Sequence, residues 1–112
     1  MNPLRLILAL LLLSGGYALG QSGAERLYRT ADSLGNLLHE RTPEYFKQSL
    51  AAAEAENNYT VRFQSLYRLG IYYDAIGEGV PALDCFRQAT LVAAGAKKWM
   101  DVARGRNSMG VV

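Results

Sequence analysis

A single cysteine, a single histidine and three prolines are all that the 112 residues hold of the types that fix disulfides, metal centres and sharp chain breaks. One thiol cannot close an internal disulfide, so packing must hold the fold together. One imidazole, His39, excludes sites that need several, and "LLHERT" lacks the second histidine of a zinc-protease helix. No metal and no cofactor is expected. Basic blocks are scarce too: beyond Lys97-Lys98 and Arg104/Arg106 no cluster of cations exists. That is too sparse for the counterion release on which nucleic-acid binding rests, so nucleic acid is excluded as a direct partner. Sustained apolar-polar alternation is missing, which removes the main strand signal. The longest apolar run, residues 6–13, is about half of the ~20 residues needed to span a bilayer.

What is present starts with that run. In "MNPLRLILALLLLSGGYALG", Arg5 precedes the apolar stretch and Ala18-Leu19-Gly20 supplies a small-residue exit. This predicts a secretory signal peptide over residues 1–20, cut before Gln21, and a chain exported to the periplasm or the extracellular space. A lipoprotein signal would put a cysteine just after the cut, and the single one is Cys85, so a lipid anchor is not expected; the competing reading keeps the leader as an uncleaved membrane anchor. Loss of Arg5 leaves eleven basic against ten acidic residues, a near-neutral chain of 92 residues. That length suits one small domain.

Alanine, leucine, glutamate, glutamine and arginine dominate the remainder, and the propensities predict an all-α chain. From Ala24, the positions Leu27, Ala31, Leu34 and Leu38 recur at three or four residues and mark a first helix, ending near residues 39–41. Thr42-Pro43-Glu44 combines a capping hydroxyl, a proline suited to a first turn and an acid that complements the dipole, and predicts a second helix to about Glu56. Asn57-Asn58 supplies a turn, with Asn58 or Thr60 capping a third helix to Ile76. Gly77 closes it in the left-handed conformation. Pro81 opens a fourth helix, terminated by a second glycine, Gly95, and a fifth starts near Lys98.

Residues 42–72 align without a gap under residues 82–112, a period of forty. "EYFKQ" lies against "DCFRQ", which pairs Phe46 with Phe86 and Gln48 with Gln88. Farther on, Ala53 meets Ala93, Tyr59 meets Trp99, and Leu69-Gly70-Ile71 meets Met109-Gly110-Val111. Aromatics, turn and glycine coincide together, which composition alone does not produce.

Leu66-x2-Leu69-Gly70-x2-Tyr73, then Gly77, then Ala82-x3-Phe86 and Ala89, resembles the tetratricopeptide repeat, a helix-turn-helix unit with the pattern W-x2-L-G-x2-Y and A-x3-F. Gly70 and Ala82 are small where two helices approach, and Tyr73 and Phe86 fill the space beside them. Leu66 stands where the family has tryptophan, Ala94-Gly95 where it has a closing proline, and the period exceeds the usual ~34 residues. Long units of this kind look like those in the extracytoplasmic repeat arrays of bacterial sensor kinases and transcriptional regulators. The resemblance divides the chain into an N-terminal helix (21–41), a half-repeat (42–59), a full repeat (60–97) and a truncated repeat (98–112), with further repeats expected after Val112. At least three units are usually needed for stability, so residues 21–112 alone are expected to be marginally stable.

Gly77-Glu78-Gly79 invites comparison with a phosphate loop, but a helix precedes it and neither the fuller glycine pattern nor a Lys-Ser/Thr pair is present. It reads as an interhelical turn. Cys85 has no histidine or cation cluster beside it to lower its pKa and reads as a packed, inert thiol. Glu54 and Glu56, two apart, point to different sides of a helix and make no acid/base pair. No nucleophile-base-orienter set can be assembled, so no enzyme activity is expected. Among the tyrosines, Tyr73 reads as core, with Tyr67 and Tyr72 as surface candidates.

In the family, the first helix of each unit lines the concave face. The resemblance therefore implies a protein- or peptide-binding groove at Gln64, Tyr67, Ile71 and Asp74, continued by Arg104, Asn107 and Val111 in the next unit. The basic and asparagine set by which some members clamp a terminal carboxylate is missing. Two readings follow: a non-enzymatic binding scaffold outside the cytoplasm, or the N-terminal sensory segment of a truncated sensor kinase or regulator. In either, the membrane enters only through an uncleaved leader or through sequence beyond residue 112.

Overall fold

The computed structural model describes residues 22–35 and 40–111; the leader, His39 and the side chains of Leu34 and Val111 lie outside the described residues. Five helices follow one another: α1 (Gly23–Gly35), α2 (Thr42–Glu56), α3 (Tyr59–Ala75), α4 (Gly79–Gly95) and α5 (Trp99–Val111), and no strand occurs among the described residues. The expected all-α class is met. Each helix packs on the next, and α1 also touches α3. Side-chain bonds join α3 to α1 on one flank and to α5 on the other, while Phe46 of α2 and Cys85 of α4 share one apolar cluster. The helices thus form two layers, α1-α3-α5 against α2-α4.

Three turns make this path regular. Asn57, Gly77 and Lys97 all adopt the left-handed conformation, at φ 56°, 81° and 58°. After each, the next N–H reaches back to the helix: Asn58 to the Ala53 carbonyl at 2.8 Å, Glu78 to Tyr73 at 2.8 Å, Lys98 to Ala93 at 2.9 Å. These are Schellman closures, with the companion bonds Asn57 to Glu54, Gly77 to Asp74 and Lys97 to Ala94 also made. The same residue that closes one helix opens the next, since the Asn58, Glu78 and Lys98 carbonyls accept from Arg62, Ala82 and Val102. Asn58 adds a side-chain cap, its Oδ1 accepting from the Val61 N–H at 3.1 Å.

One expected cap needs correction, and one left-handed turn falls off the expected glycine. Thr42 is the first helical residue rather than the cap; Arg41 holds the capping position without a side-chain bond, and Thr42 is buried. Gly95 ends α4, yet the left-handed turn falls on Lys97, two residues later. The start of α1 is tied down twice: Ser22 Oγ accepts from the Glu25 N–H at 3.1 Å, and the Glu56 carboxylate, from the end of α2, accepts from the Ala24 N–H at 3.3 Å.

Burial follows the seam read from the repeat. Thr42, Phe46, Ser49 and Ala53 face inward from α2; Ala82, Phe86, Ala89 and Ala93 do so from α4. A Cβ on Gly70 would sit 2.5 Å from the Phe86 ring, so α3 and α4 approach only because that position has no side chain. Gly105 plays the same part between α5 and α4, where its Cβ would collide with Thr90 Oγ1. Between α2 and α3 the close contact is polar: Ser49 Oγ donates to the Phe46 carbonyl at 2.8 Å and meets Ser65 Oγ at 2.7 Å. Ser49 has one proton, already given to Phe46, so Ser65 is the donor and both buried hydroxyls are satisfied.

Candidate functional site

α3 lies between α1 and α5, so its free face can only be the one that runs across this layer. Phe63 and Tyr67, one turn apart, stack at 5.6 Å between centroids, and Tyr67 meets Phe86 edge-on at 5.4 Å. This aromatic pair floors a groove of about 240 Å³ lined by Tyr28 of α1, Gln64, Tyr67 and Arg68 of α3, and Arg104 of α5. Three of the seven residues expected from the sequence, Gln64, Tyr67 and Arg104, are brought together there. Ile71, 40% exposed, and the exposed Asp74 continue along α3 beyond the groove, as does Asn107 one turn past Arg104 on α5. Val111 lies outside the described side chains.

Tyr67 is less free than a groove tyrosine would be. It is half-buried, and its hydroxyl is bonded to Ser108 Oγ at 2.7 Å, so it joins α3 to α5. Tyr72, expected on the surface, is only 7% exposed, and Tyr73, expected in the core, is half-buried against the Phe46-Leu69 cluster. The inward line of α3 runs through Leu69 and Tyr72, three residues apart, and leaves Tyr73 at its edge.

The polar rim is organised by three contacts between odd-numbered helices. Arg68 Nε donates to Tyr28 Oη at 3.3 Å and lies 3.3 Å from Asp32. The bond to Tyr28, and then the charge of Asp32, hold this guanidinium in its charged form against the cost of partial burial. Tyr59 Oη donates to Asp101 at 2.7 Å, and Arg104 stands 3.8 Å from the same carboxylate. Burial and that bond raise the Tyr59 pKa, so the phenol stays protonated. Sequence reading missed Tyr28, Arg68 and Ser108, although these three positions are themselves forty apart, the one signal that could have located them.

Elsewhere the chemistry is quiet. Cys85 is 9% exposed, and burial, with Asp84 beside it, pushes its thiol up to about 11. It is protonated and unreactive near neutrality. A wider, open cleft of about 540 Å³ lies between Tyr59 and Arg62 at the start of α3 and Leu91 and Gly95 near the end of α4. None of the face residues expected from the sequence lines it. Among the described residues no three metal-ligating side chains cluster, and no described helix is long and apolar enough to cross a membrane. Comparison of the chain with protein-family models, curated proteins and solved structures finds no match in any of the three.

Proposed function

We propose that this chain is a non-enzymatic scaffold of tetratricopeptide type, exported from the cytoplasm, whose α1-α3-α5 face holds a protein or peptide segment. The observation that carries the reading is the groove itself: three successive odd-numbered helices contribute to one concavity with an aromatic floor and a polar rim. Such a mixture suits an extended segment, the floor giving apolar contact and the rim fixing register. The forty-residue unit is supported by the matching burial of Thr42, Phe46, Ser49 and Ala53 with Ala82, Phe86, Ala89 and Ala93. It is supported again by the bonds between odd-numbered helices, which join positions 40 to 42 apart in Tyr28-Arg68, Tyr67-Ser108 and Tyr59-Asp101.

Two experiments test the two halves. Selection of peptides from a random display library against the full chain should yield binders that the variant Gln64→Trp, which fills the groove from an exposed position, no longer holds. Binders indifferent to that change would remove the face from the function. For export, mass spectrometry of the protein produced with its own leader should find an N-terminus at Gln21 outside the cytoplasm. An intact leader on cytoplasmic protein would overturn that half.

A further inference from the structure

We infer that the groove on the α1-α3-α5 face takes an acidic, extended peptide segment, bound through side-chain carboxylates by Arg68 and Arg104. This rests on the reading of that face as a peptide site. Both charged residues that line the groove are arginines, one from α3 and one from α5, and no carboxylate lines it. Each arginine has one aspartate beside it, Asp32 by Arg68 and Asp101 by Arg104. Arg68 spends Nε on Asp32 and Tyr28, which leaves its paired terminal NH2 donors for a ligand. Arg104 forms an ion pair with Asp101 at 3.8 Å, beyond hydrogen-bond length, so its N–H donors are not spent on that carboxylate, and its side chain is 58% exposed. The Asp101 carboxylate is itself engaged by Tyr59 Oη at 2.7 Å. A planar guanidinium pairs with a carboxylate through two parallel bonds, which an amide or ammonium cannot match. Phe63 and Tyr67, stacked beneath, would receive an apolar or aromatic residue between the acids.

The test compares three labelled peptides of equal length, capped at both ends so that only side chains carry charge. They share the same apolar residues and differ in having glutamate, glutamine or lysine between them. Fluorescence anisotropy with the full chain at low salt should show the glutamate peptide about tenfold or more tighter than the glutamine peptide, as expected for charge-assisted bonds, with the preference shrinking at high salt. Arg104→Gln should erase most of that preference, while Arg87→Gln, the same charge change on α4, should leave it intact. An unchanged melting temperature for both variants excludes unfolding as the cause. Equal binding of glutamate and glutamine peptides, lost in Gln64→Trp, would overturn the acidic preference and keep the peptide site. Tighter binding of the lysine peptide would overturn the preference as well. Binding of none of the three, with library-selected binders also absent, would remove the site altogether.

Discussion

Gly70 and Gly110 occupy matching positions of the forty-residue alignment, yet a methyl group would meet different fates at the two. At Gly70 it strikes the Phe86 ring; at Gly110 it finds nothing within 4 Å. Gly70→Ala should therefore cost about 1–3 kcal/mol through overpacking, and Gly105→Ala a similar amount against Thr90. Gly110→Ala should be neutral or gain a few tenths, up to about 1 kcal/mol, from helix propensity. Urea denaturation followed by circular dichroism ranks the three. Cys85 gives a second prediction at this scale. Below its ordinary value of 9.0 the thiol is protonated folded and unfolded alike and adds no pH dependence. Between there and about 11 the unfolded chain ionises first, so stability falls as pH rises. Denaturation curves at about pH 8 and about pH 10 should show a loss in the parent that is smaller in Cys85→Ala.

At the scale of the helix, the three left-handed turns are the repeating device, and only one of them has glycine. Gly77 is at φ 81°, so Gly77→Ala should cost about 1 kcal/mol although open space surrounds it. Lys97→Gly, at φ 58°, should be neutral to stabilising, because relief of the left-handed strain offsets the extra chain entropy. Equal effects of both changes on thermal melting would contradict this account of the turns. These turns also explain which boundaries were legible. Asn57-Asn58 and Gly77 carry their signals in their side chains or lack of one, and α2, α3 and α4 end within a residue of expectation. Lys97 carries no such signal, whereas Gly95, two residues before it, does. Thr42 has the chemistry of a cap, but it is the first residue of α2 and fully buried, and burial is not contained in a local pattern.

For the whole molecule, the seam was legible because small and large residues of segment 42–72 recur at the same places in segment 82–112. Leu69, Gly70, Ala82, Phe86 and Ala89 were read as buried or close-packed, and they are. The site was legible in part. Gln64, Tyr67 and Arg104 meet in one groove, but its far wall comes from α1, which lies before the aligned segments, so that only the bare forty-residue spacing from Arg68 points to Tyr28. Ser108, which occupies the Tyr67 hydroxyl, was hidden for a related reason: it bonds across two helices of the same layer, a contact set by stacking rather than by any one helix.

If the proposed peptide lies across α1, α3 and α5 together, amide chemical shifts on all three helices report it. Isotope-labelled full chain should be titrated with the capped glutamate peptide. Saturable shifts should cluster at Tyr28, Gln64, Arg68 and Arg104, with Asp84, Arg87 and Leu91 of α4 unmoved. Shifts centred on α2 and α4, or on the cleft between Arg62 and Leu91, would put the peptide on another face and overturn the proposed site.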